Sequence, residues 1–179
     1  MKTIIVPMIA VSMLSAATLS AREVDERTLP QSKRTSLKLY ISAADAFEAW
    51  KADPRRIKIV DVRTPEEFRQ IGFPEMAALV PLATRAEQFV NRVRRIAGPE
   101  DTIFVICRSG NRSATAVDML ARAGYRKAYT VVDGFEGDRN TDRSSPTYGK
   151  RTVNGWKNAG LPWTKKKADT ARTPGLISR

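Results

Sequence analysis

The chain has 179 residues, enough for one domain with its own core and too few for two ordinary ones. It holds one cysteine, Cys107, and no histidine, which excludes a Ser-His-Asp triad, a Cys-His dyad, a Cys-x-x-Cys redox pair, a thiolate zinc cage and any internal disulfide. The excess of 31 Lys+Arg over 19 Asp+Glu, net +12, favours anionic partners, but aromatic residues are not interleaved with the basic ones as a single-strand binder needs, so no nucleic-acid partner is expected.

Residues 1–21 read as a secretory signal peptide. Lys2 supplies the charge, 4–14 an apolar run too short to span a bilayer, and Ser15-Ala16-Ala17-Thr18-Leu19-Ser20-Ala21 a small-residue exit. Cleavage after Ala17 and after Ala21 both fit. The expectation is an exported protein, in a bacterial periplasm, with no stable membrane insertion once the signal is removed. Residues 22–36 are polar and charged and read as a flexible arm. Residues 164–179 carry Lys165-Lys166-Lys167 without apolar periodicity and read as a basic tail able to dock an acidic protein partner. The domain is expected between them, over 37–163.

Within it, Ser42 opens a helix with Asp45 three positions on, carrying Phe47 and Trp50 inward. The β-branched run 57–62 predicts a strand, and Thr64-Pro65-Glu66-Glu67 a capping box that starts a short helix. A second short strand is expected over 78–82. Apolar residues at helical spacing from Ala86 to Ala97 predict a helix stopped by Gly98-Pro99. Residues 102–106 form an almost unbroken apolar strand of the kind buried on both faces. Ala114, Val117, Leu120 and Ala121 line the next helix, ended by Gly124, and 128–132 gives a further strand. Such alternation predicts an α/β fold with a parallel sheet, whose ligands bind beyond the carboxyl ends of the strands.

Cys107 stands at that location. Cys107-Arg108-Ser109-Gly110-Asn111-Arg112-Ser113 is a small loop feeding a helix start, where backbone N–H groups and the helix dipole favour an anion. Gly110 admits a backbone conformation barred to other residues. Ser109, Asn111 and Ser113 offer donors, and Arg108 and Arg112 two full positive charges. This setting stabilises a thiolate, and the expectation is that Cys107 is a nucleophile needing no general base. The loop amides would shield the anion formed on its sulfur as an oxyanion hole does.

Three segments carry a family resemblance: Asp61-Val62-Arg63-Thr64-Pro65-Glu66-Glu67-Phe68, the loop 107–113, and Gly155-Trp156-Lys157-Asn158-Ala159-Gly160-Leu161-Pro162-Trp163. With them the chain resembles a single-domain rhodanese, a sulfurtransferase. The resemblance implies a mostly parallel five-stranded sheet flanked by helices. It also implies a reaction in which Cys107 takes sulfane sulfur from a small anionic donor such as thiosulfate and passes it, as a persulfide, to cyanide or a thiol. Arg108, Ser109, Gly110, Asn111, Arg112 and Ser113 would bind the substrate, Asp61 and Arg63 would form a supporting charge pair beneath the site, and neither cofactor nor metal is implied.

Two stretches depart from the family pattern: Gly72-Phe73-Pro74-Glu75-Met76, where such proteins often carry Gly-His, and Asp133-Gly134-Phe135-Glu136-Gly137-Asp138, where paired glycines are usual. A long loop over 139–151 follows the second. The acidic cluster Asp133, Glu136, Asp138 and Asp142 does not follow EF-hand spacing and reads as a solvated turn. Trp156 and Trp163 read as packing residues. A cysteine phosphatase or arsenate reductase would need Cys-x5-Arg, whereas Arg112 falls one position early and Ser113 stands in its place. A non-catalytic sulfur carrier or protein-binding module is the other alternative.

Overall fold

The computed structural model describes residues 24–82 and 84–166. The segment read as a signal peptide, 1–21, and most of the basic tail lie outside the described residues. In chain order the elements are two 3-10 turns (Glu26–Thr28, Gln31–Lys33), β1 (Tyr40–Ile41), α1 (Ala43–Ala52), β2 (Ile57–Asp61), α2 (Pro65–Ile71), β3 (Phe73–Pro74), β4 (Ala78–Leu79), α3 (Ala86–Arg94), β5 (Thr102–Ile106), α4 (Asn111–Arg122), β6 (Ala128–Val131), β7 (Asp138–Arg139), β8 (Arg151–Val153) and β9 (Trp163–Thr164).

Five strands form one sheet in the order β1-β6-β5-β2-β4, every neighbour parallel. β5 lies at its centre, buried on both faces as its unbroken apolar run requires. Its side chains alternate with period two. Phe104 and Ile106 join Ala43, Ala46, Ala49 and Phe68 of α1 and α2, while Ile103, Val105 and Cys107 join Phe89, Val93, Val117 and Leu120 of α3 and α4. The strand therefore sets the direction of the cysteine that follows it: its sulfur points to the α4 side.

The predicted helix starts are present. Ser42 Oγ accepts the Asp45 amide. Thr64 and Glu67 complete a reciprocal capping box with Pro65 at the first helical position. β4 is shorter than expected, yet its pairing continues, since the Val80 and Leu82 amides donate to the Asp61 and Val62 carbonyls of the neighbouring chain. α3 ends at Arg94, and the stretch up to Gly98 tightens into turns that bond Ile96 and Ala97 to the Val93 carbonyl.

The expected flexible arm is a correction. Its described part, 24–36, folds onto the domain: Leu29, Lys33 and Thr35 are buried, Ser36 donates through both N–H and Oγ to Asp118 of α4, and Lys33 Nζ pairs with Asp138 at 2.9 Å. The loop over 139–151 is closed at its base by antiparallel pairing of β7 with β8. Its chain then returns beneath the sheet to bury Trp156 completely and to pair β9 with β3. Trp163 is exposed, edge-on to Phe135 and beneath the Lys157 ammonium.

Candidate active site

β2 and β5 are neighbours in register, Asp61 opposite Ile106, so the turns beyond their carboxyl ends lie side by side. One turn carries Arg63, Thr64 and the start of α2; the other carries Cys107 and the start of α4. Between them opens a cleft of about 630 Å³ lined by Thr64, Glu66, Glu67, Gln70, Cys107, Arg108, Ser109, Asn111 and Arg112.

Cys107 lines this cleft and is 2% exposed. The Gly110 N–H donates to its sulfur at 3.2 Å, and Sγ lies 3.6 Å from Ser113 Oγ, which itself donates to the Gly110 carbonyl at 2.7 Å. Gly110 sits at φ +101°, and a Cβ there would stand 2.4 Å from the Val132 carbonyl oxygen, so only glycine lets the loop curl over the sulfur. The first-turn amides of α4, those of Asn111, Arg112 and Ser113, have no partner within the helix. The structure thus divides the six loop residues. Arg108, Ser109, Asn111 and Arg112 line the cleft, whereas Gly110 and the fully buried Ser113 do not line it and instead contact the sulfur.

The arginines are not free. Arg112 makes a two-pronged pair with Glu67 at 2.7 Å on each oxygen, and Arg108 meets Glu67 at 3.3 Å and Glu136 at 3.2 Å. Glu67 was legible in the sequence only as a helix cap. Its carboxylate also accepts the Thr64 amide at 2.9 Å. Burial alone would raise its pKa, but the hydrogen bonds and charges of Arg112, the Thr64 amide and Arg108 outweigh this and lower it from 4.5 to about 2. The same contact keeps Arg112 more firmly protonated than usual. Because the folded-state value is depressed, the pairing stabilises the fold fully above about pH 4.5 and loses that contribution as the pH falls toward 2. Urea midpoints recorded between about pH 6 and 3 should therefore fall more steeply for the native protein than for Glu67→Gln; parallel curves would show that the pair adds nothing to stability.

Beneath the cleft, Asp61 and Arg63 form the expected charge pair, fully buried, with Arg63 Nη2 at 2.6 Å from Asp61 Oδ2 and also donating to the Gly72 carbonyl at 2.7 Å. The guanidinium lies 4.0 Å from the Phe135 ring centroid. Burial pushes the Asp61 carboxyl upward, against the pull of Arg63. Neither residue lines the cleft.

The solvated-turn reading of the acidic stretch is corrected for three of its four residues. Asp133 is buried and accepts the Ala43 and Gly155 amides, Glu136 holds Arg108, and Asp138 holds Lys33. Asp142 alone behaves as a turn residue, capping Ser144.

Comparison with known proteins agrees with this architecture. A family model described as a rhodanese-like domain matches residues 43–140. The Rickettsia prowazekii protein RP600, itself uncharacterised, is 37% identical over 111 residues, spanning 59% of this chain and 80% of that protein. Thiosulfate sulfurtransferase 18 of Arabidopsis thaliana is 35% identical over 85 residues, 42% of this chain and 62% of that one. The crystal structure of Rv0390 from M. tuberculosis superposes with a TM-score of 0.59 at 32% identity, covering 70% of this chain and 96% of its own. With a parallel sheet ordered around β5, a cysteine loop at its carboxyl edge and a family match over more than half its length, this chain belongs to the rhodanese-like domain family.

Proposed function

We propose that this protein is a sulfurtransferase in which Cys107 carries the transferred sulfur. The observation that supports this most is the position of the one cysteine: it lines an open cleft, and its sulfur accepts the Gly110 amide at the start of α4. In the first half-reaction the Cys107 thiolate attacks the outer sulfur of an anionic donor such as thiosulfate. An S–S bond forms at Sγ, the donor's S–S bond breaks, and sulfite leaves with the electron pair. In the second, cyanide or a thiolate attacks the outer persulfide sulfur and Cys107 departs as the thiolate. Gly110 N–H and the first-turn amides of α4 stabilise the sulfur anion at both stages.

Steady-state thiocyanate formation from thiosulfate and cyanide, with intact-mass measurement after thiosulfate alone, tests the reading. Turnover together with one added, reductant-labile sulfur atom is expected. The adduct without turnover would make the protein a sulfur carrier, and hydrolysis of an aryl phosphate without an adduct would make it a phosphatase. Arg112 is already bound to Glu67 and stands one position short of the phosphatase spacing, which weighs against the last outcome.

The loop is braced from behind by Gly134, at φ +64°, where a Cβ would lie 2.5 Å from the Ser109 nitrogen and 2.6 Å from the Arg108 carbonyl carbon and oxygen. These are backbone atoms that cannot turn aside. Gly134→Ala should shift the 108–109 peptide and lower turnover by about a hundredfold, the scale of a misplacement near 1 Å; retention of full activity would show the loop to be independent of this support.

Export to the periplasm belongs to the same proposal and rests on the order of charged, apolar and small residues in 1–21; recovery of the full-length chain from the cytoplasmic fraction would overturn it. The Lys165-Lys166-Lys167 tail is proposed as a docking element for an acidic protein, to be tested by deleting 164–179.

A further inference from the structure

The charge of the cleft differs from what two arginines beside a cysteine suggest. Arg108 and Arg112 face Glu66 and Glu67 across it, so the charged side chains that line it cancel, and Glu136 holds Arg108 from behind. Glu67 touches both guanidinium groups at once. An incoming anion must share those groups with a carboxylate that is already bound by two arginine contacts and the Thr64 amide. Coulomb attraction scales with ligand charge, so a neutral cleft gives a dianion little advantage over a monoanion.

We infer that Glu67 is a specificity-determining residue that sets the cleft's net charge and so withholds from dianionic sulfane-sulfur donors the advantage over singly charged ones that two unpaired arginines would give them. The inference rests on the sulfurtransferase reading and names the donor class within it. The step balances for both kinds of donor. With methanethiosulfonate, the Cys107 thiolate bonds to the terminal sulfur, the donor's S–S bond breaks and methanesulfinate leaves with the electron pair. With thiosulfate the leaving group is sulfite. The two donors deliver the same atom and differ by one unit of charge.

The test compares kcat/KM for thiosulfate and for methanethiosulfonate, with cyanide as acceptor, in the native protein and in Glu67→Gln. Glutamine keeps the capping box, because its side-chain oxygen still accepts the Thr64 amide. The ratio of thiosulfate to methanethiosulfonate efficiency should rise about tenfold in Glu67→Gln, as expected for removing one partly screened charge a few ångströms from the bound anion, and the gain should shrink at high ionic strength. Glu136→Gln, which removes one of the two carboxylate charges on Arg108 and lies outside the cleft lining, should move the ratio the same way by about threefold, and it carries the test should Glu67→Gln fold poorly. A ratio unchanged within a factor of about two in both variants would overturn the inference while leaving the sulfurtransferase reading intact. A native protein inactive with both donors would overturn that reading, and the inference with it.

Discussion

Cys107→Ser should reduce sulfur transfer to the uncatalysed background while leaving the fold nearly as stable as before. The chemistry requires a polarisable sulfur that becomes a persulfide, which a serine hydroxyl cannot replace. The packing is less demanding. A serine oxygen can still accept the Gly110 amide and approach Ser113, the two polar contacts Sγ makes, so the cost should be about 1 kcal/mol. Cys107→Ala differs: it leaves the Gly110 N–H without its acceptor and should cost about 1–3 kcal/mol. Thiocyanate assay with calorimetry on both variants separates the roles. A large fall in melting temperature for the serine variant would place the residue among the core-forming side chains instead, and residual turnover in it would remove Cys107 from the mechanism.

Arg63→Leu should be the most damaging single change to stability. It strands the Asp61 carboxylate in a fully buried position beneath the sheet edge and also removes the donor to the Gly72 carbonyl and the cation over Phe135. Breaking a buried pair by deleting one partner costs about 3–5 kcal/mol, or about 10 °C in melting temperature for a domain of this size. The remaining carboxyl, already pushed upward by burial, can escape the penalty by taking up a proton. The deficit should therefore shrink on acidification, and adding Asp61→Asn to the variant should recover part of it. A loss below about 1 kcal/mol would mean that the pair contributes no more than an exposed one does.

Much of the sheet was legible because its signals are local. The β-branched run of β2, the apolar run of β5 and the Thr64-Pro65-Glu66-Glu67 start of α2 each declare themselves within a few residues, and so does the cysteine loop between β5 and α4. What could not be read depends on distant partners. β1 is two residues long, too short for periodicity, and exists only because β6 lies beside it. β3 and β9, and β7 and β8, likewise owe their geometry to segments far along the chain. The stretch 24–36 looked solvated because it is polar. Lys33 nonetheless lays its stem against Gly110, which has no side chain to occupy that space, and its ammonium meets Asp138, 105 positions away. The site shows the same limit. Arg108 and Arg112 line the cleft, but the capping box accounts for Glu67 so well that nothing in the sequence points to its second task, pairing with an arginine 45 positions on.

The backbone that holds the cysteine loop in place is supplied from both ends of the domain. Lys33 packs on Gly110 from one end, and Gly155 and Trp156 return from the other to satisfy Asp133 and fill the space under the sheet. Lys33, Gly155 and Trp156 all lie outside the 98-residue stretch that defines the family match. The autonomous unit of this fold is thus wider than its family signature, and grafting the signature alone into another protein would transplant the nucleophile without the scaffold that aims it.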